Sequence, residues 1–185
     1  VLFIISAGIE AMPGIELAKS MGFHVLVSDM NPNACGLQLA DDTILASTYD
    51  VEATVAEATR YHREVRPIDG VMCIASDVPL TVASVAAALG LPGISLEAAR
   101  LATYKLAMKE RFAADGVPIP WFSPVHSVQH LQVLVEAEGL PLVIKPVDSR
   151  GARGVQRLLP GVDLSKAYAM ACQHSPTQRV MVERF

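Results

Sequence analysis

The sequence is poor in the features that mark several large classes of protein. Aromatic residues make up 5% of it, and its three cysteines form no CxxC pair, so neither a disulfide framework nor a zinc site is predicted. Fifteen basic against nineteen acidic residues give a net charge of −4, which disfavours a general nucleic-acid-binding protein. No apolar run approaches the roughly 20 residues of a membrane span, and the first strand lacks the basic flank of a signal peptide. These absences favour a cytoplasmic globular protein.

What the sequence does have is an alternation of short apolar runs and helical patterns in its first half. Hydrophobic residues make up 51% of the 185 residues, enough for one large domain or two small ones. Strands are predicted at 1–7, 24–30, 43–47 and 70–75. Helical patterns separate these strands, which is typical of βαβ units and a parallel sheet. Residues 1–95 are therefore predicted to form an α/β domain.

One helix of this half has a clear apolar face. The pattern over 51–66 predicts an amphipathic helix. Its buried face is expected to contain Val51, Val55, Ala58, His62 and Val65.

The pattern changes near residue 95. Short helices are expected after Ser95 and over 103–115, so 96–122 is interpreted as a helical linker. Strands at 119–125, 140–147, 155–159 and 179–185 then alternate with helices capped by Ser127 and Asp163. Residues 123–185 are therefore predicted to form a small α+β unit.

The stretch PLVIKPVDSRGARGV, residues 141–155, carries most of the candidate chemistry. Val143 and Lys145 share one face of a strand, because successive side chains alternate. A lysine flanked by apolar residues loses hydration, a cost that an anionic partner repays. In the following loop, Gly151 and Gly154 allow the backbone to approach a ligand, and free N–H groups there can bind an anion. These parts suit a nucleotide; the alternative is a hairpin with a solvated basic turn.

Several motifs in this order resemble the ATP-grasp superfamily. The VIKP strand and glycine loop resemble its ATP-covering flap, YKLAMKERFAADGVPIPWF its first lysine helix, and RVMVERF its hinge strand. The first half resembles the pre-ATP-grasp domain of this superfamily in four motifs: SAG, the D-x-N-P at Asp29, ASDVP and LGLPG. Within the superfamily, this half is most similar to the group of carbamoyl-phosphate synthetase and biotin carboxylase. The resemblance implies a Rossmann-like parallel-sheet domain followed by a small α+β ATP-grasp subdomain.

The resemblance also implies which residues bind ATP. Lys105 and Lys145 would contact the phosphates, and Val143 and Met181 would pack near the adenine. Glu183 and the backbone of Arg184 and Phe185 would meet the polar edge of the adenine. The flap would be formed by Ser149, Gly151, Arg153 and Gly154. Ala152 stands where many relatives carry Ser, so one hydroxyl contact to phosphate would be absent.

The implied reaction uses ATP and Mg²⁺ to activate a small-molecule carboxylate as an acyl phosphate, which an amine or another nucleophile then attacks. The magnesium ligands are expected beyond Phe185, so the parent protein is expected to be longer and these residues alone to be inactive. A homodimer is left open. The substrate-side candidates follow strands of the first domain: Ser6, Gly8, Glu10, Asp29, Ser76 and Asp77. For Asp77 the alternative is a cap of the next helix.

Two other functions compete with a ligase. Asp29 closes a strand about 20 residues after Gly8, as in a nicotinamide-dependent dehydrogenase, but Gly8 and Gly14 do not form a GxGxxG turn. A non-catalytic nucleotide-binding or assembly module is the second alternative. The five histidines have no ligand spacing, so no metal site is predicted in this chain.

Overall fold

A computed structural model describes residues 1–185 and divides the chain into two compact units, Val1–Thr103 and Tyr104–Phe185. The division falls inside the predicted linker 96–122, so one of its helices lies in each unit. All helices fall short of the length and apolar content that crossing a membrane requires. The assignment of 1–95, 96–122 and 123–185 to separate domains stays a prediction.

The first unit is a parallel sheet flanked by helices. Its strands lie in the order β3-β2-β1-β4, and Leu2 of β1 pairs with both Val25 of β2 and Gly70 of β4. The elements are β1 (Leu2–Ile5), α1 (Met12–Ser20), β2 (Val25–Asp29), β3 (Asp42–Leu45), α2 (Val51–Glu64), β4 (Gly70–Cys73), α3 (Pro79–Leu89) and α4 (Leu96–Thr103). Two short 3-10 helices cover Ile9–Ala11 and Cys35–Leu39.

Both faces of this sheet are buried. Phe3, Ile5 and Leu26 belong to one hydrophobic cluster, and Ile4 and Val27 belong to another. A sheet that helices cover on both sides needs continuous apolar strands, which is the pattern in the sequence. The prediction of an α/β domain is therefore confirmed.

The prediction for the buried face of α2 was partly wrong. Val65 is 60% exposed, because the helix ends at Glu64 and Val65 has left its regular geometry at φ −114°. Thr54 and Tyr61 are buried instead. Both hydroxyl groups are satisfied there: the Thr54 hydroxyl donates to the Ser47 carbonyl at 3.0 Å, and the Tyr61 hydroxyl to Asp42 Oδ2 at 2.6 Å. Burial and the bond to Asp42 raise the pKa of Tyr61 to about 12.

The second unit is an antiparallel sheet with helices. Its strand order is β5-β8-β6-β7, which confirms the small α+β unit. Ser127 and Asp163 cap their helices as predicted, by accepting from His130 N and Lys166 N. The elements are α5 (Lys105–Ala114), β5 (Phe122–Val125), α6 (Val128–Glu138), β6 (Leu142–Pro146), β7 (Gln156–Leu158), α7 (Leu164–Gln173) and β8 (Val180–Arg184).

The two faces of this sheet differ in chemistry. Helices α6 and α7 pack on one face through a cluster that includes Leu131, Ile144 and Val182. The other face carries the polar side chains of β6 and β8, and Leu106 of α5 packs there against Met181. The candidate site is built on this second face.

Candidate functional site

Lys145 lies on β6 with its side chain 17% exposed. The alternation of the strand buries Leu142 and Ile144 on the helix-covered face, and leaves Val143 and Lys145 half-buried on the other. Lys145 Nζ donates to Glu183 Oε1 on the neighbouring strand β8. In the chain alone, the anionic partner expected for this lysine is thus the carboxylate of Glu183.

A second lysine shares that carboxylate. Lys109 of α5 lies with its Nζ 2.7 Å from Glu183 Oε2, and its side chain is 10% exposed. Lys109, Lys145 and Glu183, which we call the lysine–glutamate cluster, therefore combine two cations with one anion. Glu183 Oε2 is buried and makes no well-aligned hydrogen bond, although it lies at ion-pair distance from Lys109. The cluster thus carries an excess positive charge, and each carboxylate oxygen of Glu183 lies beside one lysine.

The cluster keeps Glu183 ionised. Burial raises the pKa of this carboxyl, but hydrogen bonds and charge from Lys109 and Lys145 outweigh it, and the net pKa lies below the ordinary value. A carboxyl whose pKa is lowered by folding stabilises the protein above its unfolded pKa. That stabilisation is lost as the pH falls through the folded pKa.

Lys105, at the first residue of α5, contacts the start of the glycine loop. Its backbone N–H donates to the Val147 carbonyl at 2.9 Å, and its Nζ donates to the Ser149 carbonyl. The structure therefore brings Lys105 to residues 148–154, which we call the flap loop. Two of the predicted phosphate-binding parts are adjacent.

The flap loop is fixed at both ends and exposed in the middle. At its start, Asp148 is buried and accepts hydrogen bonds from Ser175 Oγ at 2.6 Å and Thr177 Oγ1 at 2.5 Å. At its end, a Cβ on Gly154 would lie 2.7 Å from His174 Cβ. The residues between, Gly151 to Arg153, are exposed. Gly151, Ala152 and Gly154 all have positive φ, at 62°, 58° and 71°.

The floor beside the cluster is apolar. Met181, which pairs with Lys145 across the sheet, is fully buried. It packs with the buried Leu106 and Val147 and the partly buried Phe122. Val143, by contrast, is half-buried. Of the two side chains predicted to pack near an adenine, Val143 is thus the more accessible.

The end of β8 is held by its neighbours. Arg184 N donates to the Trp121 carbonyl at 2.9 Å and Phe185 N to the Pro141 carbonyl at 3.4 Å. The Phe185 side chain is 68% exposed, and the guanidinium of Arg157 lies 4.7 Å from its ring centroid. Of the backbone groups predicted to meet an adenine edge, the N–H groups of Arg184 and Phe185 are therefore already engaged.

The substrate-side candidates lie in the first unit, at the carboxyl ends of β1, β2 and β4. Because these strands are parallel, Asp29, which ends β2, lies at the same edge of the sheet as Ser6 and Ser76, which follow β1 and β4. Asp29 accepts from Ala7 N at 3.0 Å and Asn31 N at 2.9 Å, so its carboxylate fixes its own loops. Ser6 has φ 102°, a strained backbone of the kind that clusters at functional sites.

The other three candidates in this unit are loop residues. Gly8 is half-buried, while Glu10 and Asp77 are exposed. Asp77 does not occupy the cap of α3: Val78 holds that position, without a side-chain capping bond.

Sequence reasoning missed Lys109 and Asp148. Lys109 lies one helical turn after Lys105, and this spacing puts both side chains on one face of α5. That signal was available, although lysines on a short helix are usually interpreted as surface residues. Asp148 carried no comparable signal, because its partners lie on a later loop. The structure brings together no group of three or more His, Cys, Asp or Glu side chains that could hold a metal ion.

Comparison with protein families gives a match over the first unit: residues 15–93 match the ATP-grasp N-terminal domain. An uncharacterized protein of Sinorhizobium fredii is 25% identical over 177 residues, which is 92% of this chain and 37% of that protein. A D-alanine–D-alanine ligase of Gloeobacter violaceus is 33% identical over 52% of the chain and 33% of its own length. A formate-dependent phosphoribosylglycinamide formyltransferase of Parasynechococcus marenigrum is 28% identical over 91% of the chain and 43% of its own length.

Solved structures share the fold. An ADP complex of N5-carboxyaminoimidazole ribonucleotide synthetase covers the whole chain with a TM-score of 0.76 at 19% identity. A biotin carboxylase domain from Hydrogenobacter thermophilus, in complex with MgADP and bicarbonate, gives 0.73 at 16%. The chain spans less than half of each of these proteins, 46% and 44%. Residues 15–93 therefore belong to the ATP-grasp N-terminal domain family, and the whole chain shares the fold of these solved structures.

Proposed function

We propose that this chain supplies the nucleotide-binding part of an ATP-dependent ligase, which activates a carboxylate as an acyl phosphate for attack by an amine or another nucleophile. The observation that carries the proposal is the lysine–glutamate cluster. It has one more cation than anion, and Lys105 adds a third ammonium group beside the flap loop. An ATP triphosphate is a ligand that such an excess of charge stabilises.

The residues of the chain fit ATP in three respects. Lys105 and Lys145 provide ammonium groups for phosphates, and the exposed backbone of the flap loop, with Ser149, Gly151, Arg153 and Gly154, can cover them. Val143, on the same face of the sheet as the buried Met181, offers an apolar surface for the base. The Glu183 carboxylate, on the same face of the sheet as Val143, would accept from the exocyclic amine of the base. Arg184 and Phe185 would border the base at the end of β8.

Bound ATP would supply the phosphoryl group of the reaction, and the chain's own residues would position it and balance its charge. Binding of Mg²⁺ stays a prediction of the family resemblance, because these residues bring no metal-binding group together. The proposal therefore keeps the expectation that this chain alone binds ATP without turning it over. Phosphate release on incubation with ATP and Mg²⁺ measures this directly.

We place the carboxylate or nucleophile substrate at the carboxyl edge of the parallel sheet, near Ser6, Gly8, Glu10, Asp29, Ser76 and Asp77. Open α/β sheets bind ligands at this edge. Two residues with positive φ, Ser6 at 102° and Ala75 at 53°, follow β1 and β4 there. Backbone strain of this kind supports a functional role.

Binding of ATP to Lys145→Met tests the proposal. Loss of a hydrogen bond to a charged group costs about 1.5–3 kcal/mol, so the Kd measured by calorimetry is expected to rise about ten- to a hundredfold. Lys166→Met removes the same charge from an 85% exposed side chain on α7 and serves as the control, with an unchanged Kd. Failure of the unaltered chain to bind ATP, or equal Kd values for the two variants, would contradict the proposal.

A further inference from the structure

Lys109 has no part in the proposed contacts with ATP, yet it is one of the most buried charged side chains of the chain. Its residue is 8% exposed, and its Nζ lies 2.7 Å from Glu183 Oε2 and 5.6 Å from the centroid of the Phe122 ring. Burying an ammonium group is costly unless it is paired. The burial of the Lys109 ammonium group therefore needs a physical explanation.

The charges around Glu183 supply one. The cations that face it are Lys109 from α5 and Lys145 from β6, whereas its partner on β5, Phe122, is apolar. The nearest basic residue of β7, Arg157, lies over the ring of Phe185. A single cation is enough to neutralise one carboxylate, so one of the two lysines is in surplus while no ligand is bound.

The two lysines differ in how easily their side chains can move away from Glu183. Lys109 is the less exposed, at 10% against 17% of the side chain, and it also lies beside the Phe122 ring. Lys145 lies near the end of β6, three residues before the first residue of the flap loop. Lys145 is therefore placed to turn towards an anion, and Lys109 is placed to stay.

We propose that Lys109 is a positioning residue, which holds Glu183 ionised and in place when Lys145 leaves it for the phosphates of a bound nucleotide. The transfer would otherwise leave a partly buried carboxylate without a counter-ion, which is strongly unfavourable. This inference rests on the proposed function, because it takes ATP as the ligand that attracts Lys145. It assigns the residue a role at the adenine end of the site, although it touches no phosphate.

Proton uptake distinguishes this role from a structural one. In Lys109→Met, departure of Lys145 leaves Glu183 unpaired, and a partly buried unpaired carboxyl takes up a proton. ATP binding to this variant is then expected to take up about one more proton than binding to the unaltered chain. The affinity of the variant should fall as the pH rises from 5 to 8, because binding consumes a proton.

The experiment is ATP titration calorimetry at pH 6 in two buffers of different ionisation enthalpy, with the unaltered chain, Lys109→Met, Lys109→Arg and the exposed control Lys166→Met. Lys109→Met is expected to bind roughly tenfold more weakly, with the extra proton uptake. Lys109→Arg retains the cation, so it should remove the uptake. Equal uptake by the unaltered chain and Lys109→Met, with normal ATP binding, overturns the inference and leaves the proposed function intact.

A ligand-free measurement keeps the inference testable if the unaltered chain does not bind ATP, which would overturn the proposed function. In Lys145→Met, Lys109 is the only cation left on Glu183, which reproduces the state after transfer. A ¹³C NMR titration, with the Glu183 signal assigned from Glu183→Gln, should give a carboxyl pKa still below the ordinary value. A Glu183 pKa at or above that value in Lys145→Met means that Lys109 does not hold the carboxylate, and overturns the inference. If Lys109→Met fails to fold, Lys109→Gln replaces it in the calorimetry.

Discussion

Two loops that follow strands, one in each unit, contrast in how they are held. Residues 6–11, between β1 and α1, are fixed at internal positions, although Ile9 and Glu10 are exposed: Ala7 and Ala11 are buried, Ala7 N donates to Asp29, and the Ala7 carbonyl accepts from Gly36 N at 2.9 Å. The flap loop, 148–154, is fixed at its ends, and its middle residues are exposed. The sequence marks both as glycine-containing ligand loops and does not distinguish them.

The difference follows from what each loop has to present. A loop that is fixed at internal positions offers its exposed groups from a fixed backbone, as a substrate-binding edge needs. A loop that is fixed at its ends can rearrange its middle without breaking contacts of the core, as a cover over phosphates needs. Glycine-to-alanine substitutions, which add a single methyl group, test this contrast. The methyl group costs packing energy where it has close neighbours, and it costs conformational energy where φ is positive.

The largest effect is expected at the end of the flap loop, for Gly154→Ala. An L-residue at φ 71° costs about 1–2 kcal/mol, and the new Cβ would lie 2.7 Å from His174 Cβ and 2.9 Å from Pro146 Cγ, which adds about 1–3 kcal/mol of overpacking. Ala also lowers the entropy of the unfolded chain, which offsets about 0.5–1 kcal/mol, so the free energy of unfolding in urea should fall by roughly 1–4 kcal/mol. Gly151→Ala is the matched control, since it has φ 62° but no atom within 4 Å.

Gly151→Ala should lose only the conformational part, about 1–2 kcal/mol, and regain about 0.5–1 kcal/mol from the lower entropy of the unfolded chain, which leaves a net loss of up to about 1 kcal/mol. Similar losses for the two variants would mean that the end of the flap loop is no better fixed than its middle, and the contrast between the two loops would fail.

In the first unit, Gly36→Ala is expected to have the next largest effect. A Cβ there would lie 2.9 Å from the backbone oxygen of Ala7 and 2.9 Å from Ile15 Cδ1, so the loop after β1 has to shift. We expect a loss of about 1–3 kcal/mol in the free energy of unfolding. Gly70→Ala, whose Cβ would meet only Leu2 Cδ1 at 3.5 Å, should stay within about 0.5 kcal/mol. A Gly36→Ala variant as stable as Gly70→Ala would show that this loop is not held from inside.

The sequence predicted most of the fold, because the relevant signals are local. Strands buried on both faces appear as continuous apolar runs, as in VLFII, and the caps at Ser127 and Asp163 depend on residues three positions away. The error at Val65 arose where the pattern continued past the end of the helix. The buried Tyr61 was missed because its hydroxyl group needs a partner, Asp42, from another strand.

The site was predictable only in part, for the same reason. The strand and loop chemistry of Lys145 can be inferred from neighbouring residues, but the cation that shares its carboxylate comes from α5, far along the chain. Gly154 was selected for its backbone freedom, and its close contact with His174 could not be inferred. Loss of activity in a Gly154 variant thus combines two causes, and Gly151 is the better position for testing the flap alone.

The smallest expected effect concerns Ala152, the one non-glycine residue with positive φ in the middle of the flap loop. Ala152→Gly removes a conformational cost of about 1–2 kcal/mol, but it also adds about 0.5–1 kcal/mol of backbone entropy to the unfolded chain. We therefore expect a gain of up to about 1 kcal/mol in the free energy of unfolding. Ala137→Gly, at an exposed position of α6, has no strain to relieve and should lose about 0.5–1 kcal/mol.

The opposite signs of these two Ala→Gly changes are the point of the comparison. If Ala152→Gly destabilises the chain as much as Ala137→Gly does, residue 152 spends most of its time outside the left-handed region in solution. The difference in constraint between the middle and the ends of the flap loop would then be larger than the structure indicates. If it stabilises the chain, the strained backbone at 152 is maintained without a ligand, because the bonds of Asp148 and the close packing of Gly154 fix both ends of the loop.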